Sequence, residues 1–169
     1  MAKKKIGPIK LNLGCREVTF PGYVNIDINP INKTVIKMDV RKLYFPDNSV
    51  DEILASHIIE HFHFQEGPKV ITEWRRVLKP GGKLIVETPD MWRICCEFAN
   101  ATEQERLMLY HDFFANAWDG IHNAHLFLYT EQQLAYTLEC ALFKDIVRTP
   151  AQRYPNRGMS HLRLEAIKP

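Results

Sequence analysis

The sequence has no apolar run near the ~18 residues that a membrane-spanning helix requires, so no span of that kind is expected. Its start, Met1-Ala2-Lys3-Lys4-Lys5-Ile6-Gly7-Pro8, lacks the apolar stretch of a secretory signal, and a cytoplasmic location is the expectation. Four cysteines, Cys15, Cys95, Cys96 and Cys140, form no C-x-x-C pair, and the adjacent Cys95 and Cys96 cannot bridge without backbone strain. Reduced or buried thiols are therefore expected rather than disulfides or zinc. The glycine signature G-x-G-x-x-G is missing, which speaks against a dinucleotide-binding oxidoreductase. A strong field of either sign is missing too, since the formal net charge is +2. Lys3-Lys4-Lys5 reads as a solvated tail, because no basic stripe follows that would make it a nucleic-acid contact. There is no internal repeat, low-complexity tract or domain boundary, and residues 1–169 are expected to form one domain.

What the chain does contain is a succession of short β and α patterns. Ile9 to Leu13 alternates and ends at Gly14; Tyr23 to Ile28 and Thr34 to Met38 read as two further strands. The turn-rich Phe45-Pro46-Asp47-Asn48-Ser49 leads into a fourth strand, Val50 to Ala55. Val70, Ile71, Trp74, Val77 and Leu78 fall on one face of a helix. Lys79-Pro80-Gly81-Gly82 is expected to end that helix through proline and a left-handed glycine, before a strand from Lys83 to Glu87. Strand, helix and strand so closely joined form a βαβ unit and call for a parallel sheet. Capping boxes at Thr102 with Glu105 and Thr130 with Gln133 open two helices, the second reaching about Leu142. Phe143 to Val147 and the alternating Ser160 to Ile167 read as the last two strands, with a polar loop between them.

Ligands of open parallel sheets bind outside the carboxyl ends of the strands. Those ends carry Gly14-Cys15-Arg16, Asp27, Asp39-Val40, Ser56-His57 and Thr88-Pro89-Asp90. An acid ending the second strand suits the two hydroxyls of a ribose. An acid after the third can accept from an exocyclic amine such as that of adenine. The two acids together describe an adenosine pocket, although Asp27 also reads as a turn residue before Pro30, and Asp39 as a helix N-cap.

Five pieces in order carry a family resemblance: Leu11-Asn12-Leu13-Gly14-Cys15; Pro21-Gly22-Tyr23-Val24-Asn25-Ile26-Asp27; Asp39-Val40-Arg41-Lys42-Leu43; Phe45 to Ile53 through Glu60-His61-Phe62; and Trp74 to Leu84. In these the chain resembles the class I S-adenosylmethionine-dependent methyltransferases, especially a small type-11-like group of bacterial and phage enzymes. The resemblance is strong over residues 9–90 and weak beyond, where residues 91–128 would form a lid and acceptor region. It implies a Rossmann-like, mostly parallel α/β sheet with a C-terminal antiparallel strand, and S-adenosyl-L-methionine as cofactor. It also implies that Asn12, Leu13, Gly14, Cys15 and Arg16 surround the methionine part, and that Asp27 with Ile28 takes the ribose. Asp39 with the backbone of Val40 would take the adenine, and Ser56 and His57 would floor the site near the sulfonium. The implied activity is in-line methyl transfer to a small-molecule or glycan acceptor. Base methylation of nucleic acid is disfavoured, because the Asn/Asp-Pro-Pro-Tyr/Phe motif of such enzymes is replaced by Ala55-Ser56-His57-Ile58.

Two departures stand out. Arg16 occupies the place of the family's second glycine; it would crowd the pocket, pair with the cofactor's carboxylate, or turn into solvent. Gly14 and Asp27 are only 13 positions apart, where a dinucleotide-binding unit spaces them by ~20. The first crossover helix is thus expected to be missing or reduced. The apolar sheet face left bare would then need another cover, and a homodimer is the expectation. A non-catalytic scaffold that has lost cofactor binding is the rival that both departures motivate.

His57, Glu60 and His61 share one face if that stretch is helical, and His125 lies before the last capping box. All four are candidate catalytic residues. A general base, a divalent metal and a structural pin from Glu60-His61 to a neighbouring loop remain open as roles, with no metal assigned. Aromatics between Met91 and Gly120 (Trp92, Phe98, Tyr110, Phe113, Phe114, Trp118) suit either core packing or an acceptor site.

Overall fold

Alternation and helical periodicity resolve, in a computed structural model, into seven strands and four helices over residues 7–115, 123–152 and 161–169. The Lys3-Lys4-Lys5 run, Trp118, His122 and residues 153–160 lie outside the described residues. In chain order the elements are β1 (Lys10–Leu13), β2 (Val24–Asp27), β3 (Ile36–Lys37), β4 (Val50–Ser56), α1 (Gly67–Val77) and β5 (Leu78–Pro89). Then come α2 (Met91–Asn100), α3 (Glu103–Phe114), α4 (Glu131–Cys140), β6 (Lys144–Arg148) and β7 (His161–Ile167). A short 3-10 turn, Ile59–His61, follows β4. The sheet order is β3-β2-β1-β4-β5-β7-β6. β1 to β5 run parallel, and β7 is antiparallel to both of its neighbours. This is the expected mostly parallel α/β sheet.

The apolar face of α1 forms as its spacing predicts. Val70, Ile71, Trp74 and Val77 are buried, and the Trp74 indole N–H donates to the Val40 carbonyl at 3.0 Å. The helix end differs from expectation. Leu78 already has extended backbone (φ −64°, ψ 140°) and pairs with Val50, so burial of Leu78 in the sheet ends the helix. Pro80 to Gly82 belong to β5, where Gly81 supplies a positive φ of 78° within the strand. β3 is shorter than expected, and α4 stops two residues short of Leu142. Both capping boxes form as expected. No helix of the described residues is long and apolar enough to cross a membrane.

The crossover between β1 and β2 contains no helix, as its length requires, and neither does the one between β2 and β3. The face without crossover helices is nonetheless different from the expected one. Leu11, Leu13, Ile26, Ile53, Ala55, Leu84, Val86, Leu162 and Leu164 all belong to the core shared with α1 and α4. Alternation places Asn12, Asn25, Glu52, Ser56, Lys83, Glu87, Arg163 and Glu165 on the opposite face, with Leu54 and Ile85 among them. These polar groups satisfy one another. The Asn12 amide donates to Asn25 Oδ1 and to the Val18 carbonyl, both at 2.8 Å. Lys10 pairs with Glu52 at 3.3 Å, Lys83 with Glu165 at 3.0 Å, and Arg163 with both Glu87 and Glu165 at 3.2 Å. The bare apolar face expected there is thus corrected: this face carries a mostly polar ladder that is largely buried within the chain.

The Arg163 to Glu87 pair is almost fully buried, with side-chain exposures of 6% and 1%. Removing one partner of such a pair strands the other charge. Glu87→Ala is expected to lower unfolding free energy by about 3 kcal/mol, read from urea denaturation, while Leu107→Ala on exposed α3 changes it little.

Candidate active site

The carboxyl ends of β1, β2 and β4 and the turn after β3 converge on a cavity of 220 Å³. Gly14, Asp27, Ile28, Asp39, Val40 and His61 line it, joined by Arg41, Phe62, Glu66 and Leu126. Six of the residues singled out in the sequence thus meet at one place. Asn12, Leu13 and Cys15 are buried behind it, Asn12 spending its amide on the short β1–β2 loop. Ser56 faces a second cavity, on the polar side of the sheet, beside Tyr23, Glu87 and Arg163.

Gly14 has a φ of +63°, and a Cβ there would fall 2.7 Å from the Ile58 side chain. Glycine is required because Ile58 packs directly over it. Arg16 is also left-handed, at φ +46°, and its N–H donates to Asp27 Oδ2 at 2.8 Å. Its side chain is 56% exposed and lies 3.5 Å from Glu17. Of the three roles weighed for it, crowding of the pocket is not seen, since Arg16 does not line the cavity.

Asp27 is used on both oxygens, since Oδ1 accepts from the Asn29 N–H at 2.8 Å. A carboxylate oxygen has two lone-pair sites, so each still has room for one hydroxyl of a vicinal diol. Asp39 is more heavily engaged. The Arg41 guanidinium bonds both of its oxygens, and the Arg41 N–H donates to Oδ1 at 2.9 Å. The hydrogen bonds from Arg41 outweigh partial burial and hold this carboxyl below its ordinary range. Arg41 also reaches Glu66 at 3.3 Å and forms a wall of the cavity that sequence reasoning missed; its position two residues after Asp39 is the Asx-turn signal for it.

Of the candidate histidines His61 lines the cavity, while His57 and His125, with Glu60, gather beside it outside the lining. The stretch from His57 to His61 is not one helix: His57 has φ +54°, and a 3-10 turn follows. The turn still brings the side chains together. His57 Nδ1 is 3.1 Å from Glu60 Oε1, His125 Nε2 is 4.0 Å from the same oxygen, and the Thr88 hydroxyl donates to Glu60 Oε2 at 3.1 Å. The structural pin is present as well. His61 Nδ1 lies 2.9 Å from the Ala124 carbonyl, and the Glu60 carbonyl accepts from Leu126 and Phe127 at 2.8 and 3.2 Å. Thr88 stands at a strand end noted in the sequence, whereas His161, whose ring meets that of His57 edge-on at 5.0 Å, is a partner that the sequence reading did not single out.

Glu60 is fully buried. Burial pushes its carboxyl up, but the hydrogen bond from His57 and the charges of His57, His61 and His125 prevail and hold it below the ordinary range. Burial pushes His125 down, against the pull of Glu60. The aromatics of residues 91–115 pack mainly on one another, Phe98 meeting Tyr110 and Phe113 at 5.6 and 5.7 Å between α2 and α3. Trp92 is exposed.

This fold recurs in known proteins. The chain superposes on a SAM-dependent methyltransferase from Archaeoglobus fulgidus with a TM-score of 0.64 at 16% identity, covering 96% of this chain and 87% of that one. It superposes on 1,6-didemethyltoxoflavin-N1-methyltransferase from Burkholderia thailandensis, whose structure holds 1,6-didemethyltoxoflavin and S-adenosylhomocysteine, with a TM-score of 0.62 at 16% identity. That match covers 95% of this chain and 71% of the other. The fold is that of the class I S-adenosylmethionine-dependent methyltransferases. Residues 22–86, from the turn before β2 to the middle of β5, match the family model of a methyltransferase domain. No curated protein sequence matches the chain.

Two outcomes are expected here. Arg16→Gly relieves a left-handed side-chain residue and raises the denaturation midpoint, by about 1 kcal/mol in stability. Ionised Glu60 has a folded-state pKa below its unfolded value. Its contribution is therefore full above the unfolded value and is lost as pH falls through the folded one. Glu60→Gln is expected to be less stable at neutral pH and to show a flatter acid limb in urea midpoints measured across pH.

Proposed function

We propose that the chain transfers a methyl group from S-adenosylmethionine to a small-molecule acceptor. The observation that carries this reading is the meeting of Gly14, Asp27 and Asp39 from successive strand ends in one cavity. Asp27 accepts from the ribose hydroxyls with the lone pairs left on its two oxygens, while Ile28 and Val40 offer apolar walls. Asp39 takes the adenine edge in competition with Arg41. At 220 Å³ the cavity is smaller than the ~300–1,000 Å³ of most small-molecule sites. It suits the adenosine part of the ligand, with the methionine part lying along Gly14 to Arg16.

The cofactor supplies an already electrophilic methyl group on a sulfonium, so little covalent help is needed. The protein's task is to align the acceptor in line with the methyl group and to exclude water. His57, partnered by Glu60 and flanked by His161, accepts a proton from the acceptor where one must leave. His61 and His125 complete that end of the site. The helical hairpin of α2 and α3 is the natural acceptor-side cover, because carbonyls in the last turn of α3, those of Asp112 and Phe114, hold His125 at 2.9 and 3.3 Å.

The engagement of Asp39 by Arg41 favours a second reading, a scaffold with weakened cofactor binding. Calorimetry separates the two. S-adenosylmethionine and S-adenosylhomocysteine are expected to bind, and Asp27→Ala to abolish the heat. Absence of heat with both ligands on the parent protein would leave the scaffold.

A further inference from the structure

Three side chains beside the cavity converge from different parts of the chain: Glu60 and His61 from the 3-10 turn, and His125 from the segment after α3. One donor atom of each lies within 4.8 Å of the others. Nδ1 of His61 faces the Ala124 carbonyl and Nδ1 of His125 the Asp112 carbonyl, both at 2.9 Å. A carbonyl oxygen only accepts, so each Nδ1 carries the hydrogen and each Nε2 is a lone pair in the neutral ring. Nε2 of His125 is 4.0 Å from Glu60 Oε1, beyond hydrogen-bond range. In the neutral ring that lone pair faces the carboxylate oxygen across a gap with no shared proton, and a metal cation between the two would satisfy both.

The supporting contacts have the same character. Metal-binding imidazoles donate their other N–H to a backbone carbonyl or carboxylate, and both of these do so. The Thr88 hydroxyl holds Glu60 Oε2, and His57 Nδ1 steadies Oε1 at 3.1 Å, leaving that oxygen one further lone pair towards the histidines. We propose that Glu60, His61 and His125 bind one divalent first-row transition ion of the zinc class. Two imidazoles and a carboxylate suit zinc, cobalt or iron(II) better than magnesium or calcium. Ligands of a tetrahedral ion sit about 3.3 Å apart. Closing from 4.8 Å to that spacing needs a shift below about 1 Å from each side chain. His61 also lines the cavity assigned to adenosine, so the ion stands at the edge of the cofactor site. There the ion holds a hydroxyl acceptor as its fourth ligand, a role that rests on methyl transfer as the activity; ion binding itself does not.

The test uses chelator-stripped full-length protein titrated with cobalt(II) chloride, followed by visible absorption and calorimetry. One equivalent is expected to bind, with the intense band of four-coordinate cobalt, and magnesium chloride at the same concentration is expected to give no heat. His125→Ala and His61→Ala each weaken cobalt binding at least tenfold, and His63→Ala, an exposed residue outside the cluster, leaves it unchanged. Asp27→Ala keeps the cobalt band, which separates this site from cofactor binding. Far-UV circular dichroism identifies any variant that fails to fold, and the remaining histidine variant then decides. No stoichiometric cobalt band in the parent protein, or an undiminished one in a folded His125→Ala or His61→Ala, overturns the proposal.

Discussion

A carboxylate with no exposure to water sits at the centre of this molecule, and much of the surrounding architecture follows from satisfying it. Moving such a charge out of water costs several kcal/mol even after relaxation. Glu60 meets that cost with groups drawn from separate parts of the chain: His57 at the exit of β4, Thr88 on β5, and His125 from beyond α3. Its backbone carbonyl meanwhile takes the N–H groups of Leu126 and Phe127. One residue therefore joins the regular order of the sheet to the less regular segment beside the site. The helical hairpin is held to the same point through His125, so α3 cannot shift without disturbing the charge balance around Glu60.

The second organising fact is the asymmetry of the sheet. One face is an apolar core under α1 and α4; the other replaces helices with paired amides and ions. A sheet built in this way dispenses with two crossover helices because the side chains that those helices would cover are already polar. Leu54 and Ile85 interrupt the ladder but are themselves mostly buried, with exposures of 8% and 6%.

The succession of strands along the chain, the face of α1 and both capping boxes were legible in the sequence because each rests on a local pattern, and the convergence of Gly14, Asp27 and Asp39 followed from where parallel sheets bind ligands. The polar face was written there too, in Asn12, Asn25, Glu52, Glu87 and Arg163, but its meaning depends on register between strands far apart in the chain. The end of α1 was misread because proline and glycine are strong local signals, whereas the burial of Leu78 against Val50 is a tertiary one. A further reason for glycine at position 14 shows only in the fold: its missing side chain makes room for Ile58, which arrives from 44 residues later. Arg41 escaped notice for the same reason, since only the fold shows that Asp39 and Glu66 flank its guanidinium.

The two-residue β3 has a thermodynamic consequence. It is an edge strand, exposed at both positions and tied to β2 by the pairs Ile26 to Ile36 and Asp27 to Lys37. Short exposed edges of this kind belong to the low end of a protein's local stability range. Opening β3 would carry Met38 and Asp39 away from Asp27, because the Met38 N–H is bonded to the Asp27 carbonyl at 3.0 Å. Fraying of this edge and loss of the pocket wall are then one event, and whatever occupies the pocket draws on the same free energy that keeps the strand paired.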